Sequence, residues 1–435
     1  MLGELVLDGE HHAIQLLCNW NSGRTVNELA APRAAERAAR ESYGRLLAIL
    51  SARTHDIAAS ENALAQAFAR ALERWPADGI PDQPDAWLLS VARHRKLDAW
   101  RHSRIQDDAT QALLLLAGEV DVGTVDGAAV PDERLRLLFV CAHPDIDAAA
   151  RAPLMLQALL GLDAARLAGA FLTSPSTLGQ RLVRAKARIR SAGVSFEYPE
   201  ARELPHRLRD VLQGIHAAYG NGWDDVDGAD TLPRGLAAEA IELGRILCAL
   251  MPNEAEPLGL LALMLFCQSR AAARLNDAGA YVPLEQQDMA RWDPDLLAQA
   301  EQYLRQASSM NSPGACQLEA AIQSAHCERR VGAPVAPETM VALYDNLLAL
   351  RPSVGAQVSR ACALAKARGH DIGLQALDAI AADEVASYQP FWAARGHLLS
   401  AGGARAAARQ AFDRAIGLSA SAAVRAYLNG MSERL

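Results

Sequence analysis

The segment from Gly161 to Gly193, GLDAARLAGAFLTSPSTLGQRLVRAKARIRSAG, gathers side chains suited to an acidic partner. Between Asp163 and Gly193 there are six Lys or Arg against one Asp. The spacing predicts two helices around a tight turn. The first runs from about Asp163 to Ala170, with Leu162, Leu167 and Phe171 facing a core. The turn falls at Leu172 and Thr173. Ser174 suits an N-cap and Pro175 the first helical position, so the second helix runs from there to about Ser191. Leu178, Leu182, Ala185 and Ile189 make its inner stripe. Ser176 lies in its first turn, and Thr177, Gln180, Arg181, Arg184 and Arg188 recur at helical intervals on another face. A cationic, hydrogen-bonding stripe near a helix N-terminus is what a major-groove recognition helix presents. The competing reading is a solvated basic face.

A second basic island is RHRKLDAWRHSR, where Arg93 to Arg104 holds five Lys or Arg against one Asp. Arg93, Arg95, Lys96, Arg101 and Arg104 supply phosphate-seeking charge, with His94 beside them. Trp87 reads as core. Trp100 suits either a core or a stacking platform for unpaired bases.

Enzymatic chemistry finds little support. The chain has no GxxxxGKS/T phosphate loop, no HExxH and no GxSxG. Cys141 and His143 in VCAHPD read as a buried thiol and a helix-capping histidine, because no second pair stands at metal-ligand spacing. His326 and Cys327 read the same way. Asp224, Asp225 and Asp227 read as a solvated acidic loop. No enzyme, metal or cofactor is expected.

The elements that must position these residues are helices. Hydrophobic residues make up 51% of the 435 and charged residues 22%, which fits folded protein. Aromatics are only 5%, too few for a β-sandwich or barrel, and all-α is the expected class. The longest apolar run, Leu258–Cys267, has ten residues, half of what a membrane helix needs. The start MLGELVLDGEHH lacks the basic and apolar regions of a secretory leader. Seven scattered cysteines without a CxxC point to a reducing cytoplasm. The net charge of −8 covers two basic islands in the first half and a mildly acidic second half, so an acidic partner is expected for the first half only.

Along the chain, residues 1–32 form an extension without clear periodicity. Helices fill 33–104. The segment ENALAQAFARALERW places Ala63, Leu64, Ala67, Phe68, Ala71, Leu72 and Trp75 on one stripe. PADGIPDQPD should end that helix. Residues 105–130 read as an acidic, glycine-containing linker around a short apolar helix, and helices resume over 131–195. From 205 to 435 helix follows helix. Pro252, Pro283, Pro294, Pro313 and Pro352 fall at the turns, which suggests a helical solenoid. Trp392, Gly396, Leu399, Gly403, Ala408, Phe412 and Ala415 match the spacing of a tetratricopeptide repeat, and Gly369 lies one repeat of 34 residues before Gly403.

These phrases carry a resemblance. ENALAQAFARALERWP…PDAWLLSVARHRKLDAWR is similar to region 2 of extracytoplasmic-function (ECF) sigma factors. PDERLRLLFVCAHPDIDAAARAPLMLQALLGLDAARLAGAFLTSPSTLGQRLVRAKARIRSAGVSFEYP resembles their region 4. LERWP, AWLLSVAR, LRLLFVCAHP, QRLVRAK and LGLLALML match the subgroup with a tetratricopeptide-like C-terminal extension. The resemblance covers about residues 36 to 435. It departs at Asn62 and Ala65, where the subgroup carries more acid, and at Gly220-Asn221-Gly222-Trp223, where the subgroup has Asn-Glu-Gly-Tyr.

The resemblance implies an alternative sigma factor that brings core RNA polymerase to promoter DNA. Glu61, Gln66 and Arg70 would meet the clamp helices of the polymerase β′ subunit. Arg93, His94, Lys96, Trp100 and Arg101 would open and read the −10 element. The helix carrying Ser176 to Arg188 would read the −35 element, and the linker would thread toward the active-site channel. The extension would take part in control, through a protein partner or an intramolecular contact. The alternative is a DNA-binding regulator or interaction scaffold derived from a sigma factor.

Overall fold

The computed structural model describes residues 30–103, 132–168, 171, 173–200, 202–223, 232–328 and 335–435, with the side chains at 30, 40–41, 95–103, 221–223 and 232–236 left out. The linker 105–130, most of the extension 1–32 and the Asp224–Asp227 cluster lie outside the described residues. The protein is all-α: the described elements are helices, beside one isolated bridge between Leu275 and Tyr281. None of these helices is long and apolar enough to cross a membrane. The chain divides into two compact units, Met1–Ala218 and Tyr219–Leu435.

The first unit begins with α1 (Ala30–Thr54), α2 (Ile57–Asp78) and α3 (Pro84–Ser103). Asp56 caps α2 by accepting the Ala59 amide at 3.0 Å. The stripe from Ala63 to Trp75 is buried along its whole length. The helix runs past Pro76 to Asp78, because a proline so near the C-terminus removes a single hydrogen bond. Gly79, at φ +90°, then turns the chain. Trp87 is half-buried and meets Trp75 edge-on at 5.5 Å, in line with a core role.

Next come α4 (Glu133–Cys141), α5 (Ala148–Leu160), α6 (Ala164–Ala168) and α7 (Pro175–Ser191). Leu162 and Leu167 are buried as their spacing implied, whereas Phe171 is half-exposed. Helix α1 packs against α4 and α5 as well as against α2 and α3. Residues 33–103 and 132–195 therefore form one body with a shared core that includes Leu46, Leu47, Phe68, Leu138, Phe139 and Leu159. Helix α8 (Leu204–Trp223) carries the division between the units. Its first turns belong to this body: Arg151 donates to Asp210 at 2.7 Å, and Gly214 leaves room for the Met155 side chain.

The second unit stacks α9 (Leu232–Leu250), α10 (Ala255–Gln268), α11 (Pro294–Ser309), α12 (Ala315–Cys327), α13 (Pro337–Leu350), α14 (Val354–Arg368), α15 (His370–Asp378), α16 (Ala382–Val385), α17 (Gln389–Ala401), α18 (Arg405–Leu418) and α19 (Ala422–Glu433). Most contacts join helices near in sequence. The apolar run from Leu258 lies in α10, buried on all sides between α11 and α12. Gly259 allows this: a Cβ there would stand 2.6 Å from the Gln317 amide nitrogen. Glu256 accepts the Cys316 and Gln317 amides at 3.1 Å each and so caps α12 from the start of α10. Gly396 packs on the fully buried Phe412 ring in the α17–α18 hairpin. Gly369 and Gly403 follow α14 and α17 with φ of +99° and +78°, backbone that glycine adopts without strain.

One segment departs from this local pattern. Between α10 and α11 the chain folds into a loop closed at its base by Asp293 N–H donating to Ser269 O at 2.8 Å. Tyr281 from its hairpin meets Tyr427 of α19 at 5.6 Å, and Glu285 pairs with Lys366 of α14.

Candidate nucleic-acid interface

Helix α7 owes its position to its start and its inner stripe. Ser174 Oγ accepts the Thr177 amide at 3.2 Å, Pro175 follows at the first turn, and Leu178, Leu182, Ala185 and Ile189 are buried. The outward face then presents Ser176, Thr177, Gln180, Arg184 and Arg188 to solvent, with Arg181 half-buried among them. The residues expected on one face are thus brought together there. Arg181, Arg184 and Arg188 border a hollow of about 310 Å³ whose other wall includes Asp145 and Asp147.

The cations of α7 differ in what holds them. Lys186 Nζ lies 2.6 Å from Glu61 Oε2, Arg190 lies 3.6 Å from Asp56, and Arg188 lies 3.2 Å from Asp145. Arg181 and Arg184 form no ion pair among the described residues. Arg184 Nε donates to the Gln180 carbonyl oxygen at 3.2 Å, and an anionic backbone offered to this face would find two guanidinium groups outside any ion pair beside hydroxyl and amide side chains.

The second island lies on α3. Arg93 is half-exposed, and burial together with the nearby Arg53 guanidinium lowers its pKa from the usual arginine value. His94 is exposed, with Nδ1 2.7 Å from the Ser90 carbonyl oxygen. The side chains of Lys96, Trp100 and Arg101 lie outside the described residues. Arg93 opens onto a groove of about 1060 Å³ between α1, α3 and α4. Its walls add Arg37, Arg45, Arg53 and Arg136 to an apolar floor that includes Ile49 and Leu89. Arg45 is held by Asp85 at 2.5 Å and Arg136 by Glu133 at 2.8 Å. The α1 arginines were not singled out from the sequence. The signal was the recurrence of Arg37, Arg45 and Ala52-Arg53 near one face of a 25-residue helix.

Of the three residues expected at the polymerase surface, Gln66 and Arg70 stand four apart on one side of α2, and Glu61 lies on another. Gln66 is exposed, and Arg70 pairs with Glu73 at 3.1 Å. Glu61 turns instead toward α7 and Lys186. Cys141 is fully buried, and burial drives its thiol pKa far upward. His143 Nδ1 accepts the Asp145 amide at 3.2 Å. Cys327 is buried as well, its pKa pushed up to about 11.

Residues 207–308 match a family described as "Family of unknown function (DUF6596)". An uncharacterized protein of Rhizobium meliloti (strain 1021) is 35% identical over 381 residues, covering 86% of this chain and 90% of that protein. This chain belongs to the same family. No solved structure matches it. The DUF6596 match begins on α8, inside the first unit, and ends on α11.

Proposed function

We propose that this family member is an alternative sigma factor of the ECF type that directs core RNA polymerase to specific promoters. The observation that carries this is α7: a capped helix on a buried stripe that exposes Ser176, Thr177, Gln180 and Arg184 in one row. Such a row is suited to base edges and phosphates of a major groove. In this reading α1–α3 are sigma region 2, α4–α7 are region 4, and the stacked hairpins of the second unit are the tetratricopeptide-like extension. The Arg53–Arg93 groove would supply salt-sensitive affinity for DNA around the −10 element. No bond-making chemistry belongs to the chain; opening of the duplex draws on capture of unpaired bases and on polymerase contacts. The engagement of Glu61 by Lys186 favours a second reading, a DNA-binding regulator that no longer engages polymerase. Mapping the protein's chromosomal occupancy together with that of RNA polymerase separates the two. The sigma reading expects shared peaks at promoters, and sites without polymerase would overturn it.

A further inference from the structure

The loop joining α10 to α11 is folded upon itself. Asn276 Oδ1 accepts the Ala278 and Ala280 amides at 3.0 and 2.9 Å, and Gly279, at φ +74°, turns the chain between them. Val282 N–H donates to the Arg274 carbonyl oxygen at 2.8 Å, and Gln287 Nε2 donates to that of Val282 at 3.3 Å. Trp292 is buried at the base, beside the Ser269–Asp293 closure. The segment 281–285, Tyr-Val-Pro-Leu-Glu, is thereby held out in a set conformation.

That segment rests on the first helices of successive hairpins. Helix α14 pairs with α15 and α17 with α18; α14 also touches α17, and α17 shares a cluster with α19 through Trp392, Leu399, Tyr427 and Leu428. Tyr281 meets Tyr427 of α19 edge-on at 5.6 Å, and the Tyr427 ring stands 6.4 Å from His397 of α17. Glu285 pairs with Lys366 of α14. Burial lowers the His397 pKa and raises those of Tyr427 and Cys362, and at each of the three the Glu285 carboxylate adds a smaller upward pull, so it stands close to all of them. One short segment thus bears on three helices.

The attachment is light. Lys366 and Glu285 leave 58% and 64% of their side chains exposed, and such a pair adds little holding strength in water. Residues 276–280 are exposed, and Tyr281 to Leu284 are only half-buried. The base fastens the loop, whereas its tip lies on a face that offers an aromatic ring, an imidazole and an ammonium group. Stacked helical hairpins present such faces to segments of other proteins.

We infer that the face formed by Lys366, His397 and Tyr427 is a peptide-binding site, that the chain's own segment 281–285 is its resident occupant, and that its partner is a segment of another protein with an aromatic residue four positions before a carboxylate. The inference stands on the second unit alone and does not rest on the sigma-factor reading. The partner's ring packs on Tyr427 and His397 in place of Tyr281, and its carboxylate meets Lys366 in place of Glu285. The tethered segment competes at a millimolar effective concentration, so a partner enters when its own affinity outweighs the tether.

The test titrates the full chain into a fluorescein-labelled synthetic peptide with the sequence of residues 274–287, RLNDAGAYVPLEQQ, which keeps the Asn276 turn, and reads anisotropy. A Tyr281→Ala/Glu285→Ala chain, whose resident segment has lost both its ring and its carboxylate, is expected to bind the peptide at least about tenfold tighter than wild type. Adding Lys366→Glu is expected to remove that binding, and a peptide with alanine in place of its Tyr and Glu is expected not to bind. Circular dichroism checks helix content; if the double variant unfolds, Glu285→Ala alone, which alters an exposed side chain, decides by a smaller gain in the same direction. If the loosened chain binds the peptide no better than wild type, or if Lys366→Glu leaves its binding intact, the face is no site for such a segment and the loop is a structural brace. Neither result touches polymerase binding, so the sigma-factor reading is decided separately.

Discussion

Arg181 and Arg184 stand apart from the other cations of α7, because Lys186, Arg188 and Arg190 each have a carboxylate partner. A guanidinium pairing with guanine contributes about 1–3 kcal/mol of discrimination. Arg181→Ala and Arg184→Ala should each lower promoter-specific transcription at least about fivefold while leaving polymerase binding unchanged. Normal transcription from both would move the recognition face elsewhere on α7. Phe412 offers a stability test in the second unit: it is fully buried against Gly396, and Phe412→Ala should cost about 3–5 kcal/mol in urea denaturation. His397 packs against Phe412 at 5.2 Å and Tyr427 at 6.4 Å, and burial lowers its pKa despite an opposing pull from Glu285. Its folded pKa lies below the unfolded value of about 6.5, so the unfolded chain takes up the proton first. The contribution is fully present above that value and is lost as pH falls below it. His397→Gln should flatten the stability change between pH 7.5 and 5, and an unaltered slope would assign that change to other groups.

At the scale of elements, what local pattern encodes was legible. The stripe from Ala63 to Trp75, the Ser174-Pro175 helix start and the inner face from Leu178 to Ile189 all depend on neighbours within a few turns, and all are observed. What depends on distant partners was not legible. Glu61 and Lys186 are 125 positions apart, and nothing in the periodicity of either helix couples them. The same holds for Tyr281 meeting Tyr427 and for Arg53 facing Arg93. Glu61 illustrates the consequence: the resemblance implied a partner outside the chain, whereas its carboxylate is engaged within it. The Arg53–Arg93 groove yields a prediction for α3. Removing Arg53 and Arg93 charge should weaken promoter opening and reduce its dependence on salt, since fewer counterions are released. A salt slope equal to wild type would make the groove a solvated surface.

At the scale of the molecule, the division at Ala218 decides where the chain can be cut. The first turns of α8 are bound to the first unit through Arg151–Asp210 and the Gly214–Met155 contact. A fragment ending at Ala218 should therefore unfold at higher urea than one ending at Glu200, which strips Asp210 from a half-buried Arg151. Equal midpoints would show that α8 adds nothing to that body. The sigma-factor reading itself is tested most directly by run-off transcription, with purified core RNA polymerase and DNA from upstream of the protein's own coding sequence. The full chain should yield a discrete transcript that polymerase alone does not make and that Arg181→Ala and Arg184→Ala reduce. A transcript pattern identical with and without the protein, on templates it demonstrably binds, would contradict the claim.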